Sequence, residues 1–159
     1  MNPGAWIANV LGWPVIHLLI GSAAVRIPDE FLAQDTWLTA PRHWERDGKI
    51  YRDVFAIRKW KRLLPDGAPW IGGAAKTGLF AWNHKQILRF LAETRRAEIA
   101  HWCMLGFLPL FLLWNPLWAR VVIISYASAA NLPCILAQRY NRILLARFAR
   151  TSSLTAALS

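Results

Sequence analysis

Three long apolar runs alternate with polar stretches along the chain. The first, residues 5–25, contains no Lys, Arg, Asp or Glu and is close to the length of about 20 residues with which a helix crosses a bilayer. Residues 102–114 and 117–137 form two further runs, separated by the turn dipeptide Asn115-Pro116. The pattern predicts an all-α integral membrane protein with three transmembrane helices, the last two of which form a hairpin.

The polar region between the first two runs, residues 26–100, has charges, aromatics and turn signals but no uninterrupted apolar span. Aromatic and basic side chains interleave along it, which suits an interfacial layer of amphipathic helices at the lipid headgroups. The clearest helix of this layer is predicted over Ile50 to Leu64, where apolar residues recur at near-helical spacing among bases. The turn Leu64-Pro65-Asp66-Gly67 is expected to end it, because Pro65 disfavours helical geometry at Leu64.

A second amphipathic helix is predicted to continue without a break into the apolar run that begins at Trp102. At 100° per residue, one of its faces carries, in chain order, Ile87, Phe90, Leu91, Thr94, Glu98 and His101. The opposite face carries Lys85, Arg89, Glu93 and Arg96. Glu98 and His101 therefore share the packed side of this helix.

The position of Glu98 and His101 makes them a candidate site. They lie where the polar segment meets hydrocarbon, and an ionisable group is costly there unless it faces protein, a partner or a water-filled cavity. The alternative is structural: Glu98 holds an arginine, and His101 anchors the helix at the interface beside Trp102.

Composition and charge placement favour the membrane over nucleic acid. The 159 residues are 55 % apolar with ten Trp, and 19 Lys and Arg outnumber nine Asp and Glu. All nine acids lie between Arg26 and Glu98, and basic residues flank the apolar runs.

The positive-inside rule then assigns residues 26–100 and the basic C-terminal tail 138–159 to the cytoplasm, with the N-terminus outside. We expect a single membrane domain over residues 1–159 and no nucleic-acid partner.

The two cysteines, Cys103 and Cys134, both fall within apolar runs. Neither a disulfide framework nor a metal-ligand spacing is available, so the sequence predicts no metal site and no bound cofactor. The N-terminus lacks the positive segment of a signal peptide, and residues 5–25 are expected to stay in the bilayer.

The third apolar run leads into a polar stripe. Asn131, Cys134, Gln138 and Arg142 fall within about 80° of one another on a helix. Polar groups at membrane depth need partners, and the simplest partners lie on the neighbouring helix that carries Glu98 and His101. A buried structural network and a substrate groove are both compatible with this pattern.

Four short motifs follow one another along the chain. They are Arg26-Ile27-Pro28-Asp29; Arg58-Lys59-Trp60-Lys61 with Leu64-Pro65-Asp66-Gly67; Glu93-Thr94-Arg95-Arg96-Ala97-Glu98 with His101-Trp102; and Gln138-Arg139-Tyr140-Asn141-Arg142. In order and spacing they resemble the glycosyl-4,4'-diaponeurosporenoate acyltransferases of bacterial carotenoid synthesis. The similarity runs from about Arg26 to Arg142, and four motifs in order are much more specific than any one of them.

The resemblance implies a membrane enzyme that esterifies a sugar hydroxyl of a glycosylated carotenoid, or of a related glycolipid, with a fatty acyl group. It implies an acyl thioester as the donor, either acyl-CoA or acyl carrier protein, and the bacterial cell membrane as the location. The expected partners are the lipid bilayer, the glycolipid acceptor and the acyl donor. An oligomer is compatible with the sequence.

Acyl transfer to a hydroxyl needs a base for the hydroxyl proton and hydrogen-bond donors for the developing oxyanion. The His and Asp signature of glycerolipid acyltransferases, with four intervening residues, is absent, since only three residues separate His43 from Asp47. No Gly-x-Ser-x-Gly nucleophile elbow is present either. His101 is the predicted base, and Glu98 is the group expected to orient its ring.

Substrate binding is assigned to three sets of polar residues. The third helix offers oxyanion donors in Gln138, Asn141 or Arg142, with Arg139 beside them. The phosphates of acyl-CoA, or the acidic face of a carrier protein, are expected to bind Arg58, Lys59, Lys61 and Arg62. The alternative for these four residues is a solvated or lipid-facing basic surface. Asp29 and Asp66 could accept from sugar hydroxyls, with helix capping and turn formation as the alternatives.

A second function is compatible with the sequence. A chain this short could be a non-catalytic membrane subunit that binds a lipid or pigment and recruits another enzyme. Acyl transfer by the purified protein separates the two hypotheses.

Overall fold

The computed structural model describes residues 3–64 and 84–158, and within these two ranges all regular secondary structure is helical. Its α-helices, in chain order, are α1 Pro3–Ala24, α2 Lys49–Asp53, α3 Ile57–Trp60, α4 His84–Gly106, α5 Leu108–Leu112 and α6 Leu117–Leu158. Short 3₁₀ helices span Asp29–Leu32, His43–Gly48 and Lys61–Leu63. Asp66 and the turn predicted around it lie outside the described residues.

Two helices are long and apolar enough to cross a membrane: α1 and the Leu117–Arg150 part of α6. Large apolar side chains along both of them are exposed, as lipid-facing side chains would be; examples are Leu18, Leu19 and Val121. Length, composition and this exposure together suggest that the protein is associated with a membrane.

The second predicted span, residues 102–114, does not form a separate helix of membrane length. Its first residues belong to α4, which ends at Gly106, and the rest is divided between the five-residue α5 and a turn. Pro109 explains the division, because its ring cannot donate a backbone hydrogen bond and clashes with the carbonyl one turn earlier. Three separate spans are therefore not seen.

Helices α4 and α6 pack as an antiparallel hairpin, although only residues 102–106 of the predicted first arm, 102–114, belong to α4. Helix α4 runs from the charged segment into the apolar one without a break, as predicted. The predicted packed face is confirmed at Ile87, Thr94 and Glu98, which are buried. Arg96, which the pattern places on the opposite face, is also buried. The end of α1 and the loop after it cover this side of α4.

The single amphipathic helix predicted over residues 50–64 is wrong. The chain breaks between α2 and α3, where Ala56 adopts a left-handed conformation with φ of 47°. In an unbroken helix Tyr51 and Ile57 would point about 120° apart. The break turns both side chains into one core with Tyr140 and Ile143 of α6.

Helix α6 continues beyond the predicted span limit at residue 137 and includes the basic tail up to Leu158. The tail is therefore part of the same 42-residue helix. This continuity places Asn131, Arg139 and Arg142 on one rigid element, with their relative directions fixed by the helix.

The end of the hairpin at residues 113–116 is joined to α1 by paired amides. Asn9 Nδ2 donates to Asn115 Oδ1 at 2.8 Å, and Asn115 Nδ2 donates back to Asn9 Oδ1 at 3.0 Å. Next to them Trp13 stacks on Phe111 with ring centroids 4.6 Å apart. These contacts fix α1 against the hairpin at the end away from the charged residues.

Candidate functional site

Glu98 lies at the centre of a buried group of charges between α4 and α6. Its side chain is fully buried, and each of its carboxylate oxygens accepts a hydrogen bond from an arginine of α6. Oε1 accepts from Arg139 Nη1, and Oε2 accepts from Arg142 Nη2, both at 2.5 Å. Trp102 Nε1 also donates to Glu98 Oε1, at 3.3 Å. Two arginines therefore compensate the buried carboxylate of Glu98.

A second buried acid, Glu45, extends this group. Its Oε1 accepts from Arg139 Nε at 2.6 Å and from the Tyr51 hydroxyl, and its Oε2 accepts from the backbone N–H of Arg42 at 2.5 Å. Burial raises the pKa of the Glu45 carboxyl, but the hydrogen bonds from Arg139, Tyr51 and Arg42 together bring the pKa below its ordinary 4.5. We call Glu45, Glu98, Arg139, Arg142 and Tyr51 the ionic network.

The arginines of the ionic network also bind the backbone of the loop that follows α1. Arg139 Nη1 donates to Leu38 O at 3.0 Å, and its Nη2 donates to Ala40 O at 2.9 Å. Arg142 Nη2 donates to Thr39 O at 2.5 Å. Within the described residues, Arg142 Nη1 is buried without a hydrogen-bond acceptor, and Arg142 Nε, which also forms no hydrogen bond, lies 3.6 Å from Asp35 Oδ1. Buried donors of this kind have unused capacity to bind an oxyanion.

Two arginines of α4 hold the same loop from the other side. Arg95 Nε donates to Asp35 Oδ1 at 2.8 Å. Arg96 Nη1 donates to Ala24 O at 2.8 Å, and its Nη2 donates to Asp29 Oδ1 at 2.6 Å. Asp29 is the first residue of its 3₁₀ helix rather than the cap, and no side-chain cap bond is formed there. The predicted capping role of Asp29 is therefore wrong, and its carboxylate pairs with Arg96.

His101 lies one turn after Glu98 and contacts α6. Its Nδ1 lies 2.9 Å from Asn131 Oδ1, while Asn131 Nδ2 donates to Ala127 O at 2.9 Å. Because the amide NH₂ of Asn131 is directed to Ala127, the amide oxygen faces the ring, so Nδ1 of His101 carries the proton. The lone pair of the neutral ring then resides on Nε2. Asn131 is the side chain that contacts Nδ1 of the ring, whereas both carboxylate oxygens of Glu98 accept hydrogen bonds from arginines.

The basic residues at 58–62 divide into two pairs. Arg58 Nε donates to the Tyr140 hydroxyl at 3.1 Å, and Lys61 Nζ donates to Asn141 Oδ1 at 3.0 Å. Arg58, Lys59 and Arg62 are all exposed, and Lys61 is half-buried. Among the residues described, the side chains of Lys59 and Arg62 form neither a hydrogen bond nor an ion pair.

The polar stripe predicted on α6 does find its partners on α4, as expected. Arg142 contacts Glu98, Asn131 contacts His101, and Gln138 is buried between these positions. No pattern in the sequence pointed to Glu45 and Tyr51, which enter the network from a 3₁₀ helix and from the short helix α2. No group of three His, Cys, Asp or Glu side chains that could hold a metal occurs among the described residues.

Comparison with known proteins gives one consistent family. The profile of the glycosyl-4,4'-diaponeurosporenoate acyltransferases matches residues 34–151. Proteins of that name from the Staphylococcus aureus strains bovine RF122 / ET3-1, USA300 and NCTC 8325 / PS 47 are each 32 % identical over 140 residues. The alignments cover 87 % of this chain and 84 % of each relative. No solved structure matches significantly. The match includes the ionic network, His101 and the residues at 58–62, and the chain belongs to the glycosyl-4,4'-diaponeurosporenoate acyltransferase family.

Proposed function

We propose that this protein is a membrane enzyme that transfers a fatty acyl group from an acyl thioester to a sugar hydroxyl of a glycosylated carotenoid or a related glycolipid. Family membership and the names of the relatives support the reaction and the acceptor. The thioester C–S bond breaks and an ester C–O bond forms. The proton of the sugar hydroxyl passes to a base and then to the departing thiolate.

His101 is the proposed base, and its hydrogen bond with Asn131 is the observation on which the proposal rests. The amide oxygen of Asn131 holds the proton on Nδ1 and thereby keeps the lone pair on Nε2. Nε2 is the nitrogen that would accept the hydroxyl proton. Asn131 is thus the positioning residue for the ring, the role that the sequence had assigned to Glu98.

Arg142 is the proposed donor to the oxyanion of the tetrahedral intermediate. Its side chain is 2 % exposed, and within the described residues its Nη1 is buried without an acceptor, while its Nε lies 3.6 Å from Asp35 Oδ1. A positive charge that is already fixed in a site of low dielectric stabilises developing negative charge effectively. Glu98 fixes this guanidinium by accepting from Nη2, and we assign Glu98 a positioning role.

The proposed topology has three crossings, with the α4 segment from His101 onward together with α5 as the middle one. The charged residues 26–100 and the basic end of α6 then lie in the cytoplasm, and the N-terminus and the turn at Asn115 lie outside. Acyl thioesters of the cytoplasm would reach His101 from the side of the ionic network.

The test is the replacement His101→Ala, with His17→Ala as the matched control. His17 is another histidine of an apolar helix, and its Nδ1 bonds to Trp13 O at 2.8 Å, outside the proposed site. Loss of the base should lower turnover by roughly two to four orders of magnitude, with little change in donor affinity. The His17→Ala protein should keep the turnover of the original.

Both variants are purified in detergent, checked for intact folding by size exclusion, and assayed with an acyl-CoA and a glycosylated lipid acceptor. Near-normal transfer by a folded His101→Ala protein would remove the histidine from the mechanism. An original protein that binds the glycolipid but transfers no acyl group would support the alternative, a subunit that recruits another enzyme.

A further inference from the structure

The residues from Ile57 to Leu63 form three rows of side chains. Helix α3 passes directly into a 3₁₀ turn, and in 3₁₀ geometry residues three apart lie above one another. Ile57 and Trp60 form the row that packs into the core with Tyr140. Arg58 and Lys61 form a second row, which we call the basic row, and Lys59 and Arg62 form a third.

The second row faces two polar side chains of α6. Arg58 donates to the hydroxyl of Tyr140, and Lys61 donates to the amide oxygen of Asn141. Lys61 Nζ also lies 5.1 Å from the centre of the Tyr140 ring. Tyr140 is buried and contacts Tyr51 edge-on with ring centroids 6.2 Å apart, so its hydroxyl is held in place.

The second row carries positive charge that no acid neutralises directly. Within the described residues both of its cations donate to neutral oxygens, and neither forms an ion pair. Burial lowers the pKa of Lys61 below 10.5, and the charges of Arg58 and Arg62 lower it further. The nearest acid in sequence, Asp53, is paired with Arg52 at 2.6 Å. Two fixed cations of this kind suit a phosphate group, which accepts several charge-assisted hydrogen bonds.

We propose that Arg58 and Lys61, held by Tyr140 and Asn141, form the binding site for a phosphate group of the acyl donor. Lys59 and Arg62 face away from this site and contribute only general attraction to anionic surfaces. The inference rests on the proposed acyl transfer and narrows the donor-binding set of four bases to two. Tyr140 and Asn141 are positioning residues in this site.

The proposed phosphate site and His101 lie on different sides of α6. Asn131, which contacts His101, lies nine residues before Tyr140, so the two positions are about 14 Å apart along the helix and point about 180° apart around it. The pantetheine arm separates the thioester from the nearest phosphate in both acyl-CoA and acyl carrier protein. A donor whose phosphate binds at Tyr140 would have to lead this arm around α6 to bring the thioester to His101.

Two double variants of equal charge test the site: Arg58→Gln with Lys61→Gln, and Lys59→Gln with Arg62→Gln. Binding is measured calorimetrically in neutral detergent with a non-reactive thioether analogue of acyl-CoA, and KM is measured with acyl-CoA. The first variant should raise both constants by at least about tenfold, the effect of losing one or more hydrogen bonds to a charged group. The second should leave both constants within about twofold.

A donor without phosphate gives the decisive control. Acyl-pantetheine should be used equally well by the original protein and by the Arg58→Gln, Lys61→Gln variant, because the reacting groups are untouched. Equal losses of acyl-CoA binding in the two double variants, or no loss in the first, would overturn the site. Tight binding of the thioether by an original protein that transfers no acyl group would retain the site and refute the proposed function.

Lipid headgroups are the other source of phosphate. Phosphatidylglycerol is therefore titrated into the neutral micelles. If it displaced the thioether analogue from the original protein at a low mole fraction, the site would be a lipid site and the donor assignment would be wrong. We expect no displacement beyond that produced by an equal concentration of simple salt.

Discussion

The ionic network and the basic row at Arg58 and Lys61 use the same residue types in opposite ways. In the network, Arg139 and Arg142 each donate to a carboxylate at 2.5 Å. In the basic row, Arg58 and Lys61 donate to a phenol and an amide at about 3 Å. The two regions are adjacent, since Arg139 and Tyr140 follow each other on α6 and point about 100° apart.

The difference distinguishes charged residues that stabilise the fold from charged residues that remain able to bind a ligand. Arg139, which already has two carboxylates and two backbone carbonyls as acceptors, holds the fold together, and removing its acids leaves an uncompensated charge. A partly exposed cation that is held by neutral oxygens retains its attraction for an anion from outside. Three predictions test this division, in order of decreasing effect.

Glu98→Gln should have the largest effect on stability. It removes the anion shared by Arg139 and Arg142, and breaking a buried pair in this way costs about 3–5 kcal/mol. Thermal unfolding in detergent measures the loss. The matched control is Asp53→Asn, which breaks an exposed pair with Arg52 and should leave the unfolding midpoint unchanged. Equal midpoints for the Glu98→Gln and original proteins would show that the network does not hold the fold.

Glu45→Gln should destabilise the protein less, and only while the carboxyl would be ionised. The loss at neutral pH should be about 1.5–3 kcal/mol, the contribution of hydrogen bonds to a charged group. The pKa of Glu45 is lowered in the folded state, so its stabilisation is complete above the unfolded value of 4.5 and disappears as the pH falls through the lowered value. Unfolding midpoints of the two proteins should therefore converge on acidification. A constant difference down to low pH would assign the effect to packing.

Asn141→Asp should give Lys61 of the basic row an ion-pair partner within the protein. The new carboxylate would accept from Lys61 at the position of the present amide oxygen, which is 3.0 Å away. We expect the KM for acyl-CoA to rise about tenfold, while the unfolding midpoint stays the same or increases slightly. Asn141→Ala is the control, because it removes the amide without adding charge. A KM increase as large in Asn141→Ala would mean that positioning, and not neutralisation, controls donor binding.

The sequence predicted the main features that depend on helical periodicity. The buried row of α4, the hairpin and the pairing of the α6 stripe with Glu98 and His101 follow from residues three and four apart on long helices. The resemblance identified the family from short motifs. The division of residues 102–114 was missed, because the apolar pattern continues across Pro109.

The contributions of loops could not be predicted in the same way. Glu45 reaches Arg139 across 94 positions of sequence and lies in a 3₁₀ segment without helical periodicity. The break at Ala56 depends on the core beneath it, into which both Tyr51 and Ile57 must turn. The burial of Arg96 could not be predicted because periodicity describes one helix, whereas its partners include backbone carbonyls contributed by α1 and the next loop.

The continuity of α6 limits how the length of this chain can vary. Deleting one residue between Asn131 and Arg139 would rotate everything beyond it by 100° relative to everything before it. Asn131 would still face His101, while Arg139 and Arg142 would turn away from Glu98, and Tyr140 would turn away from Arg58. Insertions and deletions are therefore incompatible with the stretch from Asn131 to Arg142, although every residue in it could keep its identity. Spacing along this helix is as much a requirement as the residues themselves.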